Sequence, residues 1–373
     1  MKTKYFYVPI IVFLSFLSSC ASNEDEHLQN RPNHRIDITE VLMYETTKLN
    51  KIITKINKID ESIKSLDRLH ETFSEELHYF RITLNEIENL ITSSDINKKK
   101  LAIELNKISR EINDFAQQQK IYLEDLDITD QNFQNQQEIF MCKEYKIILG
   151  NVSILKCNSE KIDFLKSIRF IGGDLLITNN SNLSNLDGLE NLTFIGGKLN
   201  IYENKALRTL NGLNNLVSIE NDLYIGANNN LSNLDGLENL ILIGRGLLIG
   251  SNNELLNIDG LKKLTTIRGV LVIGFNPALS NLDGLRRLNS LGSFLFIDSN
   301  TSLLNIKGLS NLTSVKGNLF ITNNHKLFSF CGLQPLFINK GLEGDFSVGD
   351  KNGYSPTKQD ILNGKCKAKD SVK

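Results

Sequence analysis

Three residue types recur along the C-terminal part of this chain at one fixed interval. Gly188, Gly212, Gly236, Gly260, Gly284, Gly308 and Gly332 fall 24 residues apart without an insertion or deletion. Two further columns keep the same step: Ile177, Ile201, Ile225, Ile249, Ile273, Ile297 and Ile321, and Asn180, Asn204, Asn228, Asn252, Asn276, Asn300 and Asn324. The stretch NLSNLDGLENL at 182–192 returns unchanged at 230–240 because two periods separate the copies. A repeat of this length constrains the chain to a stack of similar coils, since a single coil cannot bury its apolar side without neighbours.

One coil reads from 171 to 194: Ile171, Leu175-Leu176-Ile177, Asn180, Leu183, Leu186-Asp187-Gly188-Leu189 and Leu192. In the triplet L-x-I the outer residues share one side and the middle residue takes the other, as in a half-buried strand. Such short strands are expected to pair in register with those of adjacent coils at about 4.8 Å, with five or six inward columns of Leu or Ile filling the interior. The Asn column carries both donor and acceptor and suits a structural ladder inside a tight turn. The Gly column reads as a site needing positive φ. Its companion column, Asp187, Asn211, Asp235, Asp259, Asp283, Lys307 and Cys331, would stack carboxylates for calcium or form an Asx turn. Asn211 and Lys307 fit the turn better, and no metal site is expected.

The remainder of the chain is built differently. All 25 glycines lie at or after Gly150, and between Asn33 and Leu149 there is neither Gly nor Pro. Apolar residues there advance in steps of three and four: Leu49, Ile52, Ile56, Ile59, Ile63, Leu66, then Phe73, Leu77, Phe80, Leu84, Ile87 and Ile91, with His70 the polar member of the seam. The average of 3.5 is the period of a left-handed coiled coil. After Ser93-Ser94-Asp95 the seam resumes at Leu101, Leu105, Ile108, Ile112 and Phe115 in unbroken phase. Two arrangements stay open. One is a continuous helix from about Ile38 to Leu126, roughly 130 Å long, paired with a second copy. The other is a hairpin turning at Ser94 with Asp95 as N-cap.

At the N-terminus Lys2 and Lys4 precede an apolar run from Tyr5 to Leu17, too short to span a bilayer and suited to a signal segment. Leu17-Ser18-Ser19-Cys20 resembles the lipobox of bacterial lipoproteins, which implies cleavage before Cys20, its acylation and a membrane anchor. The following Ala21-Ser22-Asn23-Glu24-Asp25-Glu26 resembles the acidic export tag of Bacteroidetes surface lipoproteins, implying display from the outer membrane, facing the cell exterior. Four cysteines remain. Three connectivities are open, and local pairs are expected, Cys142 with Cys157 and Cys331 with Cys366, bracketing the two ends of the repeats. The formal net charge of −1 gives no reason to expect a nucleic-acid partner.

Leu175-Leu176-Ile177-Thr178-Asn179-Asn180 resembles the leucine-rich repeat signature. The spacing with "LDGL", together with "FCGLQPL" and "YSPTKQDILNGKC" near the C-terminus, is closer to the receptor L-domain, and this likeness covers about 142–366. It implies a right-handed β-helix acting as a ligand-binding or adhesive scaffold, with varied partners. The expected architecture is therefore an N-terminal all-α coiled coil followed by an all-β solenoid. Its divisions are a signal peptide at 1–19, an acidic tether at 20–36, a coiled-coil stalk at 37–140, the leucine-rich solenoid at 142–366 and a tail at 367–373.

No constellation of nucleophile, base and oxyanion donors repeats along the chain, and "FIGG" lacks both the Lys and the following helix of a phosphate loop. Neither an enzyme nor a cofactor is expected. What remains is a surface that binds a protein or a glycan, or a spacer that tethers the envelope. Middle residues of the strand triplets, and those just before them, face outward and grow apolar along the stack. Tyr224, Leu248, Val272, Phe294, Phe296 and Phe320 form the expected ligand-binding face. The anchor gives the first prediction. Cys20→Ser should move the protein from the membrane to the soluble fraction on cell fractionation, whereas unchanged fractionation means that Cys20 carries no lipid.

Overall fold

The computed structural model describes residues 120–122, 125–129 and 145–368. The chain divides into two compact units, Met1–Glu124 and Asp125–Lys373. Of the first, residues 120–122 are described and hold the two-residue strand Ile121–Tyr122. The signal segment, Cys20, the tether, the apolar seam from Leu49 to Phe115, and Cys142 lie outside the described residues.

The second unit is a β-solenoid. Each coil contributes one strand to a 10-stranded parallel sheet, running from Leu126–Ile128 at one end to Phe346–Val348 at the other. We call it the wide sheet, because a narrow sheet of two-residue strands such as Phe194–Ile195 and Leu242–Ile243 runs beside it. Register follows the sequence period: Leu223 lies opposite Leu247 and Leu247 opposite Leu271, while Ile225, Ile249 and Ile273 align in the same way. One coil sends seven apolar side chains inward, Leu223, Ile225, Leu231, Leu234, Leu237, Leu240 and Ile243, all fully buried. The narrow-sheet column, Ile243 here and Ile171 in the coil read above, brings the count to seven rather than five or six.

The solenoid also begins earlier than residue 142. Leu126-Asp127-Ile128 pairs in parallel with Val152-Ser153-Ile154, and both Leu126 and Ile128 are buried. Residues 126–128, expected within the helical stalk to 140, are therefore strand. The triplet L-x-I is legible there, but it stands outside the exact 24-residue period, between the last seam residue Phe115 and the first full coil.

The Asn column forms the expected ladder. The Oδ1 of each Asn accepts the backbone N–H of the Asn one coil earlier, at 3.1 Å for Asn252 on Asn228 and 3.1 Å for Asn276 on Asn252. Each Nδ2 donates back to a strand carbonyl, as Asn252 does to Ile225 at 3.0 Å. The series opens where Asn180 Oδ1 accepts from the Cys157 N–H and closes on Asn352, which accepts from Asn324 at 3.0 Å. Asn352 escapes a strict 24-residue reading because it lies 28 residues after Asn324.

Positive φ belongs largely to a different column than expected. The residues just before the ladder, Asn179, Glu203, Ala227, Ser251, Phe275, Ser299 and Asn323, all adopt the left-handed conformation with φ of 55–60°, and none is glycine. In the Gly column only Gly188, Gly212 and Gly236 have positive φ, while Gly260, Gly284, Gly308 and Gly332 occupy short 3-10 turns without it. Close approach accounts for the whole column instead. A Cβ on Gly284 would stand 1.9 Å from the Ile258 carbonyl oxygen, and one on Gly212 would stand 1.9 Å from that of Leu186. The turn ahead of these glycines is an Asx turn, but its acceptor sits two residues before the Asp column: Asn233 Oδ1 takes the Asp235 N–H at 3.0 Å and Asn281 Oδ1 that of Asp283 at 2.9 Å. Among the described residues no group of three or more His, Cys, Asp or Glu side chains is placed to hold a metal ion.

The C-terminal end is closed by helices Gln334–Ile338 and Lys358–Leu362, which bury Leu336, Phe337 and Ile361. Thr357 and Asp360 form a reciprocal capping box on the second helix. The expected bridge Cys331–Cys366 is present, with Cα atoms 4.8 Å apart, and the Phe330 N–H donates to the Cys366 carbonyl at 2.7 Å. Together they hold the final segment across the last coil. Cys157 is buried, and its proposed partner Cys142 lies outside the described residues.

Two substitutions separate these roles. Asn252→Leu removes the acceptor of the buried Asn228 N–H and should cost about 2–4 kcal/mol, since each unsatisfied buried group costs about 1–3 kcal/mol. Gly284→Ala should destabilise comparably although its φ is ordinary, because the new Cβ meets a backbone oxygen that cannot move alone. Denaturant midpoints within a few tenths molar of wild type for either variant would contradict this account.

Candidate functional site

The outer face of the wide sheet is set by alternation along each strand. Leu223 and Ile225 face the core, so Tyr224 and Gly226 face out. Parallel pairing then aligns outward residues into rows along the stack. One row runs Leu176, Asn200, Tyr224, Leu248, Val272, Phe296, Phe320 and Ser347, each opposite the next. Five members of the expected ligand face thus lie in one continuous line, and each is half-buried. Phe294 stands one residue before its strand and is 38% exposed, in the adjacent row.

That adjacent row has structural duties at its polar positions. Asp174 Oδ1 accepts the Lys198 N–H at 2.8 Å and its other oxygen lies 3.4 Å from Lys198 Nζ. Asp222 Oδ1 accepts the Gly246 N–H at 2.8 Å, and Asn318 Oδ1 that of Asp345 at 2.9 Å. Val270 and Phe294 bring no such side-chain acceptor. They extend the apolar line sideways.

A third outward row, at the strand ends, is not among the residues expected from sequence. It runs Thr178, Tyr202, Gly226, Gly250, Gly274, Asp298 and Thr322 in register. Three successive glycines stand in it beside Tyr224, Leu248 and Val272; Gly226 and Gly274 are buried and Gly250 is half-buried. At one end the rings of Tyr202 and Tyr224 stack with centroids 5.6 Å apart, and a Cβ on Gly226 would stand 2.7 Å from the Tyr224 hydroxyl. At the other end the buried Asp298 carboxylate accepts from Asn323 Nδ2 at 2.7 Å, Ser299 Oγ at 2.9 Å and the Thr322 hydroxyl. Phe275, next to Gly274, is 59% exposed while held at φ 58°. A bulky residue in the left-handed region is unusual and marks a strained position.

Electrostatically this end of the face is acidic. The Glu203 carboxylate beside Tyr202 raises that phenol above its ordinary 10.0, with burial adding to the effect. Tyr224 is also raised, by burial first and then by the proximity of Tyr202 and Glu203. Both hydroxyls are therefore protonated at neutral pH and can donate as well as accept. A second, shallow groove of about 460 Å³ runs along Asn191, Thr193, Asn215, Val217, Asn239 and Ile241. Its amides are committed to the stack, with Asn191, Asn215 and Asn239 donating to carbonyls of the preceding coil.

Because the neutral form of Tyr224 is favoured in the fold, its contribution to stability is complete below the ordinary value of 10.0 and is lost as pH rises through the raised value. Melting temperatures followed from neutral pH to above 10 should therefore fall more steeply for wild type than for Tyr224→Phe. Parallel curves would mean that the phenol is not held neutral by its surroundings.

Comparison with known proteins bears on part of this unit. No curated protein matches the chain. Residues 142–240 match the family model described as Receptor L domain, and the same coil geometry continues without a break to Phe346–Val348.

Proposed function

We propose that the solenoid is a non-catalytic binding module, presenting the outer face of the wide sheet to a protein or glycan partner on an exported, lipid-anchored chain. The observation that carries this reading is the unbroken row Tyr224, Leu248, Val272, Phe296 and Phe320, with Phe294 beside it. Outward positions in the earlier coils hold Asp174, Lys198 and Asn200 as well as Leu176 without loss of the fold, so apolar residues here are not demanded by the core. The Receptor L domain match over 142–240 supports a binding role, and the Cys331–Cys366 bridge agrees with an oxidising compartment. Anchoring at Cys20 to the outer membrane and display at the cell surface rest on the lipobox-like Leu17-Ser18-Ser19-Cys20 and the acidic residues after it. The 3.5-residue seam from Leu49 to Phe115 would, as a helical stalk, raise the module from the membrane and offer a route to a homo-oligomer.

A structural spacer or envelope tether is the second reading, favoured by the same row. An apolar line of this length also suits packing against the helical segment or another copy. Phe296→Ser with Phe320→Ser distinguishes the two in full-length protein carrying Cys20→Ser for solubility. A binding face predicts more than tenfold weaker retention on the protein or glycan array spots that capture wild type, with the thermal midpoint nearly unchanged. Early melting with capture intact would assign the row to packing and overturn the binding face.

A further inference from the structure

The shallow groove beside the narrow sheet is open to solvent and carries a cation at each end. Its floor is the column just ahead of the narrow strands, where Thr193, Val217 and Ile241 follow one another, each amide donating to the coil before at 2.9 Å. Val217 is 38% exposed and Ile241 44%. The same column carries Thr265, Asn289 and Thr313 in later coils, so the fold does not demand aliphatic residues there. One wall is the column of Asn191, Asn215 and Asn239. Their Nδ2 atoms donate to carbonyls of the preceding coil at 2.8, 2.7 and 2.6 Å, which fixes each amide and leaves it a second N–H. The Oδ1 atoms of Asn191 and Asn215 accept no hydrogen bond from the described residues.

Arg169 lines one end of the groove and Lys263 the other. Both are exposed, and neither has an ion pair among the described residues. Lys263 Nζ donates to the neutral Asn239 Oδ1 at 2.7 Å, and the exposed Arg287 follows Lys263 in the same column. No carboxylate lines the groove. Glu190 and Glu238 stand one residue before Asn191 and Asn239, but Glu238 Oε2 accepts the Gly236 N–H at 2.9 Å and Glu190 Oε2 is buried. Thr265, two residues after Lys263, donates to the Ile241 carbonyl and so extends the floor to four steps beyond Arg169. At the strand spacing the cations are roughly 19 Å apart along the stack.

We propose that this groove is a second binding site, for a linear acidic glycan bearing carboxylate or sulfate groups, lying along the stack from Arg169 to Lys263. It goes beyond the apolar row of the wide sheet and shares no residue with it. Uncompensated cations at both ends, with no carboxylate between them, select an anion. Fixed amides beside an aliphatic floor suit a sugar, whose hydroxyls pair with the remaining N–H and Oδ1 groups while the C–H faces of its rings rest on Val217 and Ile241. The coil spacing of about 4.8 Å is close to the advance of one ring in an extended β-linked chain, so successive sugars meet equivalent residues. An extended peptide advances about 3.3 Å per residue and falls out of step. Its own amides would also find the main chain of the floor already paired, and they are costly to bury without partners.

The test is isothermal titration calorimetry on full-length Cys20→Ser protein at low ionic strength. The probes are two acidic hexasaccharides, β-linked oligomannuronate and a heparin-derived sulfated fragment, beside neutral cellohexaose and hexaglutamate. At least one acidic hexasaccharide should bind, at least tenfold tighter than cellohexaose and more weakly as salt is added. Arg169→Glu with Lys263→Glu should weaken that binding at least thirtyfold, and Val217→Asp at least fivefold, with thermal midpoints within a few degrees of the parent. Phe296→Ser with Phe320→Ser should leave it unchanged, which keeps this site separable from the apolar row; loss of binding in that variant would move the site to the wide sheet. Failure of both acidic hexasaccharides to bind, equal binding of cellohexaose, or indifference to the two charge reversals would overturn the proposal. Hexaglutamate bound as tightly through the same two cations would assign the groove to an acidic peptide instead. Should the charge reversals fail to fold, Arg169→Gln and Lys263→Gln measured singly carry the same comparison.

Discussion

The asparagine ladder is the interaction on which the remaining structure depends. At each coil the chain must turn sharply out of the wide sheet while its amides are buried, and buried N–H groups have to be paired. One Asn per coil satisfies its predecessor's backbone N–H and a strand carbonyl together, so the corner of every coil is built by its neighbour. That geometry fixes the preceding residue in the left-handed region, at a cost on the order of 1–2 kcal/mol for a non-glycine residue. The chain accepts the cost in seven successive coils with Asn, Glu, Ala, Ser and Phe rather than glycine. Side-chain identity at the corner is therefore free, and Phe275 shows that it can be spent on an exposed aromatic ring.

Glycine does three separate jobs along the same stack. At Gly212 a positive φ and a close approach coincide; at Gly284 close approach alone excludes a Cβ. At Gly250 and Gly274 φ is ordinary and a Cβ would stand 3.3 Å from a carbonyl oxygen, a tight contact but a far looser one. All these glycines keep a 24-residue step, so period alone cannot tell them apart. Only the distance from a hypothetical Cβ to the coil below separates a glycine the backbone needs from one it does not.

Much of the fold was legible because a solenoid writes its contacts into its period. Leu223, Leu247 and Leu271 touch since they are 24 residues apart and every coil has the same length, so a pattern in sequence is also a pattern in space. What the period does not carry was missed. Leu126-Asp127-Ile128 and Asn352 perform the duties of their columns from irregular positions, where the coil length changes and the arithmetic fails. The Asx-turn acceptor was assigned to the Asp column instead of the Asn233 and Asn281 column, because both columns repeat and only geometry shows which oxygen reaches the amide. At the face, the row from Tyr224 to Phe320 follows from alternation, whereas the third row falls at the strand ends, past the L-x-I triplet that marks each strand in the sequence.

A stack in which each coil has the same backbone separates stability from recognition unusually cleanly. Inward columns and the ladder are shared by every coil, so a change at Leu247 or Asn252 damages two interfaces at once. The middle outward row has no such backbone coupling: Asn200, Tyr224, Leu248 and Val272 follow one another on the same scaffold with nearly the same strand geometry. Variation there is cheap, and a run of residues that departs from solvent-compatible chemistry over consecutive coils is therefore more informative than the same run in an irregular fold. The apolar row spans the strands from Leu223–Gly226 to Leu319–Thr322, and the three strand-end glycines lie in the first three of them, up to Leu271–Gly274. Those three strands stand in the middle of the solenoid, away from both ends, where neighbouring coils on each side hold the strands in register.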